Sequence, residues 1–318
     1  MTPSPRDLAH YLRSIGRFVR GREEREAADR VVVGELEAVS LGLPAGLDIE
    51  WLGVAGYRLT YEGQTIYLDP YLSRVPLGQV IGRRAEPALG DPDLYARLLD
   101  ERAGEVVGIL AGHTHFDHAI DIPAIARRYG TKAYGSRSLR HLMGLHGLAD
   151  SAVEIEPNRP YELGPFTVRF VPSLHSKLIL GVAVPSAGEL TCEHLDGLTP
   201  SAFRCGDVFG LHIEVAGCTI YHQGSANLID DQVPRGGVDV FLAGIAGRTF
   251  TRDYWSRILP RLEPRVVVAS HFDDFFRPVE GEQGLSLNVG VRHLPDEVGA
   301  VSDEFAVAAL RPLETYRG

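Results

Sequence analysis

From about residue 47 onward the chain alternates short apolar runs with turn residues, and the spacing of its apolar positions switches between that of strands and that of helices. "LDIEWLGVAGYRLTYEGQTIYLDPYLS" (47–73) reads as short strands around the turn "YEGQ", ending at Asp69-Pro70. "RLLDERAGEVVGILAG" predicts a helix, a glycine stop and a buried strand. "DIPAIARRYG" predicts a helix closed by glycine, and "KAYGS" the strand after it. "FTVRFVPSLHS", "VFGLHIEVAGCTIYHQGS", "VDVFLAG" and "RVVVASHF" read as further strands, with the helix "TRDYWSRILPRL" between the last two and "EFAVAALRP" as an edge strand near the end. Strands outnumber helices and interleave with them, which predicts a layered α/β domain with two sheets over 46–318.

The first 45 residues differ in texture. Over 6–40 the spacing predicts helix, with Leu8, Tyr11, Leu12, Ile15, Phe18 and Val19 on one side and Arg13, Arg17 and Arg20 on the other. "GREEREAADR" then mixes both charge signs, which favours a helical extension packed on its own domain or on a second copy over a membrane surface.

Composition narrows the function. A chain of 318 residues that is 44% hydrophobic can bury a sizeable core. Its net charge of −10 argues against a general nucleic-acid binder, which needs a basic face to neutralise phosphates. Three cysteines, Cys192, Cys205 and Cys218, make a poor disulfide framework and suit a reducing compartment. No secretory core and no membrane-length apolar run is seen, so a cytoplasmic address is expected.

The candidate chemistry lies in "EVVGILAGHTHFDHAID" (105–121). A buried strand ends in glycine, and His113, His115, Asp117 and His118 follow within six positions. In an extended segment His113 and His115 point the same way and can converge on one cation, while Asp117 and His118 are re-aimed where the next helix begins. A single histidine beside a strand end is usually a packing or surface residue; three with an aspartate at this spacing predict a divalent metal site.

The H-x-H-x-D-H spacing resembles the signature of the metallo-β-lactamase fold superfamily. The strands of 49–73 look like the opening of its branch of ascorbate-phosphate lactonase-like and N-acyl-phosphatidylethanolamine phospholipase D-like hydrolases. "VPSLHS" places His175, and "VVVASHFDDF" places His271, where that family has its later metal histidines. The resemblance covers about 47–310 and implies a four-layer αββα sandwich with an N-terminal helical extension. It further implies one ion held by His113, His115 and His175, and a second by Asp117, His118 and His271.

Two positions depart from the pattern. Where the family has a bridging aspartate this chain has Ser225, a weaker ligand, so one tight metal and a weak, different or absent second are expected. Asp273, Asp230 and Asp231 are candidate replacements, each otherwise a solvated loop carboxylate or helix cap, and His222 is a candidate ligand or a structural neighbour of the site. Val54 stands where many relatives carry histidine in the glycine-rich turn, which alters pocket polarity. Asp69 resembles a residue that hydrogen-bonds a ligand histidine and fixes its tautomer.

A dication there would lower the pKa of bound water from about 15.7 toward 7, with Asp117 orienting that water or accepting its proton. The expected activity is hydrolysis of an ester-like bond (lactone, phosphodiester, amide or thioester) in a small or lipid-like substrate. The alternative is a non-catalytic or regulatory metal-binding protein whose site has partly decayed at Ser225. Zinc is the expected metal, with manganese or iron accepting the same ligands. Residues 180–210 are the expected selectivity region, Arg248 a candidate contact for an anionic substrate group, and Tyr254 part of a mixed polar and aromatic pocket. The expected partner is a small-molecule substrate, with no nucleic acid and no stable membrane insertion; a homo-oligomer stays open.

Overall fold

The computed structural model describes residues 21–81, 86–178, 182–281, 284–286 and 289–318. The stripe of Leu8 to Val19 therefore lies outside the described residues. The first half holds helix α1 (Arg22–Leu36), strands β1 (Asp48–Gly53), β2 (Gly56–Tyr61) and β3 (Gln64–Leu68), then helices α2 (Leu77–Ile81) and α3 (Pro92–Leu98). Strand β4 (Glu105–Leu110) leads into α4 (Phe116–Ala119) and α5 (Ile122–Tyr129), followed by β5 (Ala133–Gly135), α6 (Arg137–Leu145) and β6 (Ala152–Glu154). The second half runs through β7 (Pro160–Leu163), β8 (Phe166–Pro172), β9 (Phe209–Val215), β10 (Cys218–Gln223) and β11 (Val240–Gly244). It closes with α7 (Tyr254–Leu262), β12 (Val266–Ser270), α8 (Leu294–Gly299), β13 (Ala306–Ala309) and β14 (Thr315–Arg317).

Among the described residues the strands form two seven-stranded sheets, ordered β14-β1-β2-β3-β4-β5-β6 and β13-β12-β11-β10-β9-β8-β7. Their period of two builds the layers. Ile49, Trp51, Tyr57, Leu59, Ile66 and Leu68 of the first sheet face the second, joining Phe166, Val168, Leu211 and Ile220 in one core. Leu52, Tyr67 and Ile109 point to the other side and pack under α3, α5 and α6. Helix α7 belongs to the core that includes the second sheet: Tyr254, Trp255, Ile258, Leu259 and Leu262 recur at helical spacing and are buried. This is the αββα sandwich.

As expected, "EFAVAALRP" supplies an edge strand, β13, at the end of the second sheet. The last strand, β14, goes to the opposite edge and pairs with β1 at Ile49↔Tyr316. Helix α1 packs against β13 and the turn at 291–293, and its buried Asp29 accepts from the Arg292 backbone N–H at 2.9 Å and its Nη1 at 3.0 Å. No helix among the described residues is long and apolar enough to cross a membrane.

Candidate metal centre

Strand direction explains why distant histidines meet. β3 and β4 are parallel, so Asp69 and the 111–118 loop emerge at one rim of the first sheet. In the second sheet β9 is antiparallel to both β8 and β10, and β10, β11 and β12 are parallel. The chain therefore leaves β8, β10 and β12 in the same direction and delivers His175, Ser225 and His271 to one rim.

The six predicted ligands come together as two sets. His113, His115 and His175 form one, and Asp117, His118 and His271 the other; within each, one donor atom per residue lies within 4.8 Å of the others. The sets adjoin, with the His113 and His118 ring centroids 3.9 Å apart.

Hydrogen bonding fixes which nitrogen faces inward. A carbonyl can only accept, so His115 Nε2–H donates to Pro185 O at 2.8 Å and Nδ1 is left with its lone pair. That Nδ1 lies 3.1 Å from His113 Nε2, inside the first set. His175 reverses the pattern: Nδ1–H donates to Ser176 O at 2.7 Å, leaving Nε2 free. In the second set His271 Nε2 stands 3.4 Å from Asp117 Oδ2, and His118 Nε2 3.8 Å from the same oxygen. His118 Nδ1 is 3.1 Å from Asp69 Oδ2, an ion-pair distance without good hydrogen-bond alignment.

Electrostatics agree with this donor set. Burial, reinforced by the neighbouring imidazoles, holds His113 well below its usual pKa and pulls His175 down to about 3, so both rings are neutral and able to donate lone pairs. Burial alone would raise Asp117, but His118 and His271 beside it win and keep it ionised. For His118 burial pulls downward, and Asp117 and Asp69 overcome it. Three imidazoles in one set, and two imidazoles with a carboxylate in the other, match a borderline dication.

Asp69 is the buried hub beneath the set. Its Oδ1 accepts the Gly112 N–H at 2.6 Å and its Oδ2 the His222 Nε2–H at 3.0 Å. Burial would raise this carboxylate, yet His118 and His222 hold it down at about 2. Gly224 is a glycine for this reason: a Cβ there would stand 2.9 Å from both Asp69 Oδ2 and His118 Cε1. His222 lies on β10, fully buried, and touches Asp69 rather than either donor set.

Several expectations are corrected. Asp273 does not replace the bridging carboxylate, because Oδ1 accepts the Val54 N–H at 2.9 Å and Oδ2 pairs with Arg74 at 2.9 Å. Asp230 pairs with Arg257, and neither it nor Asp231 belongs to the sets. Ser225 does sit at the rim, its Oγ accepting the Ser176 N–H at 3.0 Å and lying 3.3 Å from the Ser176 hydroxyl. Arg248 is not available to a substrate: its buried guanidinium is spent on Glu297, at 2.6 and 3.1 Å, and on the Val289 and Gly290 carbonyls. Tyr254 is buried in the core on the inner face of α7 and does not line the cleft.

The cleft that opens on the donors holds about 470 Å³. Its walls are mostly apolar, including Leu77, Phe116, Leu178, Phe203, Phe250 and Phe275. Residues 180–210 contribute Pro185, Ser186, Pro200, Ser201 and Phe203. An aromatic pocket was expected, but the phenylalanines that line it escaped sequence reasoning although their signal was in view: Phe116 follows His115, and Phe275 and Phe276 follow His271 by four and five positions. His271 meets Phe275 edge-on at 5.8 Å, and Phe275 tilts against Phe116 at 6.4 Å.

Comparison with known proteins agrees with this architecture. A family model described as β-lactamase superfamily domain matches residues 48–271. The chain belongs to that superfamily. It is 30% identical over 227 residues to a UPF0173 metal-dependent hydrolase of Staphylococcus haemolyticus, covering 69% of this chain and 86% of the relative. A UPF0173 metal-dependent hydrolase of Anaeromyxobacter dehalogenans is 30% identical over 239 residues, 72% of this chain and 75% of its own length. Among solved structures, the metallo hydrolase Igni18 of Ignicoccus hospitalis superimposes with a TM-score of 0.51 at 17% identity, over 85% of this chain and 97% of that one. CmlA, a diiron β-hydroxylase of Streptomyces venezuelae, gives 0.55 at 16% identity, over 87% of this chain and 55% of that one. These last two likenesses speak for the fold alone.

Proposed function

We propose that this superfamily member is a metal-dependent hydrolase cleaving an ester-like bond in a small or lipid-like substrate whose non-reacting part is apolar. The observation that carries the reading is the meeting of five imidazoles and one carboxylate at the floor of an apolar cleft. The metal-dependent hydrolases among its relatives point the same way. His113 Nε2, His115 Nδ1 and His175 Nε2 would hold one dication; Asp117, His118 and His271 would hold a second. Zinc suits the set best, with manganese or iron able to take the same ligands. When bound, the metal supplies a Lewis acid and a nucleophilic water at neutral pH.

The chain's own residues do the rest. The Pro185 and Ser176 carbonyls lock His115 and His175 in the tautomers that present a lone pair. Asp117 stays ionised under its histidine neighbours, and its carboxylate oxygen not used as a ligand orients the attacking water. The phenylalanines exclude bulk water and seat an apolar group beside the reacting bond. The described charged side chains of the lining outside the donor sets, Arg22 and Asp274, pair with Glu26 and Arg277. That favours neutral esters, lactones and amides over multiply anionic substrates. Ser225 adds no charge between the two centres, so the second ion binds more weakly than the first.

The test is turnover of a panel of acyl esters of graded chain length, lactones and phosphodiesters, with chelator and after metal return. Activity that chelator abolishes, a dication restores and longer neutral acyl groups improve is expected. A metal-replete protein inert across the panel would refute the hydrolase reading and favour a non-catalytic metal binder.

A further inference from the structure

The last donor, His271, is held in an unusual way. It follows β12 and has φ 58, a left-handed backbone that non-glycine residues adopt only when their surroundings impose it. Its backbone N–H donates to Val54 O at 2.8 Å. That carbonyl also accepts the Trp51 indole N–H at 2.9 Å. Val54 itself has φ 53, costlier still for a β-branched residue. What fixes Val54 is Asp273, whose Oδ1 takes the Val54 N–H and whose Oδ2 pairs with Arg74, both side chains being almost wholly buried.

The packing around this pair leaves no slack. Gly53 has no side chain because a Cβ there would come within 1.9 Å of Arg74 Nη2 and 2.9 Å of Asp273 Oδ2. Arg74, itself at φ 34, lies over the Tyr71 ring at 5.1 Å, and Tyr71 meets Phe116, between His115 and Asp117, edge-on at 5.9 Å. Phe272, between His271 and Asp273, packs on Trp51 with centroids 4.9 Å apart. The ion pair thus ties the β1–β2 turn to the His271 loop and, through Tyr71, to the start of α4. His175 is held from elsewhere: its ring by the neighbouring Ser176 carbonyl, and its backbone carbonyl by Asn227 Nδ2 at 3.1 Å.

We infer that the buried Arg74–Asp273 pair is a positioning device for His271, acting through the Val54 turn, and that it sets binding at the Asp117/His118/His271 centre far more than at the His113/His115/His175 centre. The inference rests on the metal-centre reading above. Asp273 is a positioning residue rather than a ligand, since both of its oxygens are already engaged.

Two readouts decide it. In metal-free protein, Asp273→Ala, which removes the acceptor of the Val54 N–H and the partner of Arg74, should speed hydrogen exchange of the His271 amide at least about tenfold relative to the Ala269 amide in β12, as expected when a supporting hydrogen bond is lost. In a cobalt titration the same variant should bind the second ion about 10–100-fold more weakly and the first within twofold of the parent, the usual size of an effect transmitted through a ligand's support. Because an unpaired Arg74 can unfold the protein, Arg74→Leu/Asp273→Leu is measured in parallel; removing both charges leaves neither stranded. Unchanged His271 exchange, or equal weakening of both ions, overturns the inference. A parent that takes up no cobalt refutes the metal reading instead, and the exchange measurement still decides whether the pair holds His271.

Discussion

Asp69→Asn isolates the electrostatic hub beneath the donors while keeping the size of the side chain. In metal-free protein the carboxylate sits at about 2 rather than the ordinary 3.8, because His118 and His222 outweigh its burial. A shift of that size amounts to about 2–3 kcal/mol of folding stability, at about 1.4 kcal/mol per pKa unit. The folded pKa is depressed, so this contribution is complete above 3.8 and fades as pH falls toward 2. The amide keeps a partner for Gly112 N–H through its oxygen but gives up the charge that attracts both imidazoles. Urea unfolding of metal-free protein should therefore show the variant about 2–3 kcal/mol less stable at pH 7, with the gap narrowing below pH 4. The second ion should also weaken about 10–100-fold, since His118 loses the partner that orients it. A variant within 0.5 kcal/mol of the parent at pH 7 with an unchanged metal titration would refute the reasoning.

Ser225→Asp should tighten the second ion by at least about tenfold: the Coulombic gain of a charge about 4 Å from a cation is about 4 kcal/mol per unit charge even when well screened, against about 1 kcal/mol for each lost Ser176 hydrogen bond. Metal content per chain after gel filtration checks it, and unchanged stoichiometry would mean that Ser225 does not face both centres. Arg248→Met should cost about 2–3 kcal/mol of stability in a thermal or urea melt, less than for a fully buried pair because Glu297 is partly exposed, with KM unchanged for anionic substrates. A raised KM at unchanged stability would restore Arg248 to the substrate site. Phe275→Ala should raise KM for the longest acyl ester about tenfold and leave the shortest nearly unaffected, because the removed ring belongs to the cleft wall. Equal effects on both would place the acyl group elsewhere.

The strand–helix alternation and the donor loop were legible in the sequence because they are local. A buried strand, a glycine and H-x-H-x-D-H need no distant partner to be read, whereas His175 and His271 were placed by the family resemblance, each at the end of an apolar run. What could not be read depends on pairs far apart in the chain. Arg248 looked available because Glu297, 49 positions later, is invisible to a local pattern. Asp273 was placed beside His271 by assuming an extended chain; the left-handed turn at His271 breaks that alternation and sends the carboxylate to Val54 and Arg74. Tyr254 looked polar by type, yet it falls on the apolar stripe of α7 that packs inward. Helix α6 and strand β14 also went unread, the first although Leu139, Leu142 and Met143 give "SRSLRHLMGL" a buried stripe at helical spacing, the second because it is three residues long.

The central claim is that two dications sit side by side, each on its own triad. Anomalous diffraction at the zinc absorption edge, on crystals grown with excess zinc, tests it most directly. The account predicts two peaks, a fuller one among His113, His115 and His175 and a weaker one among Asp117, His118 and His271. No peak among these six residues, or ions bound only elsewhere on the surface, would contradict it.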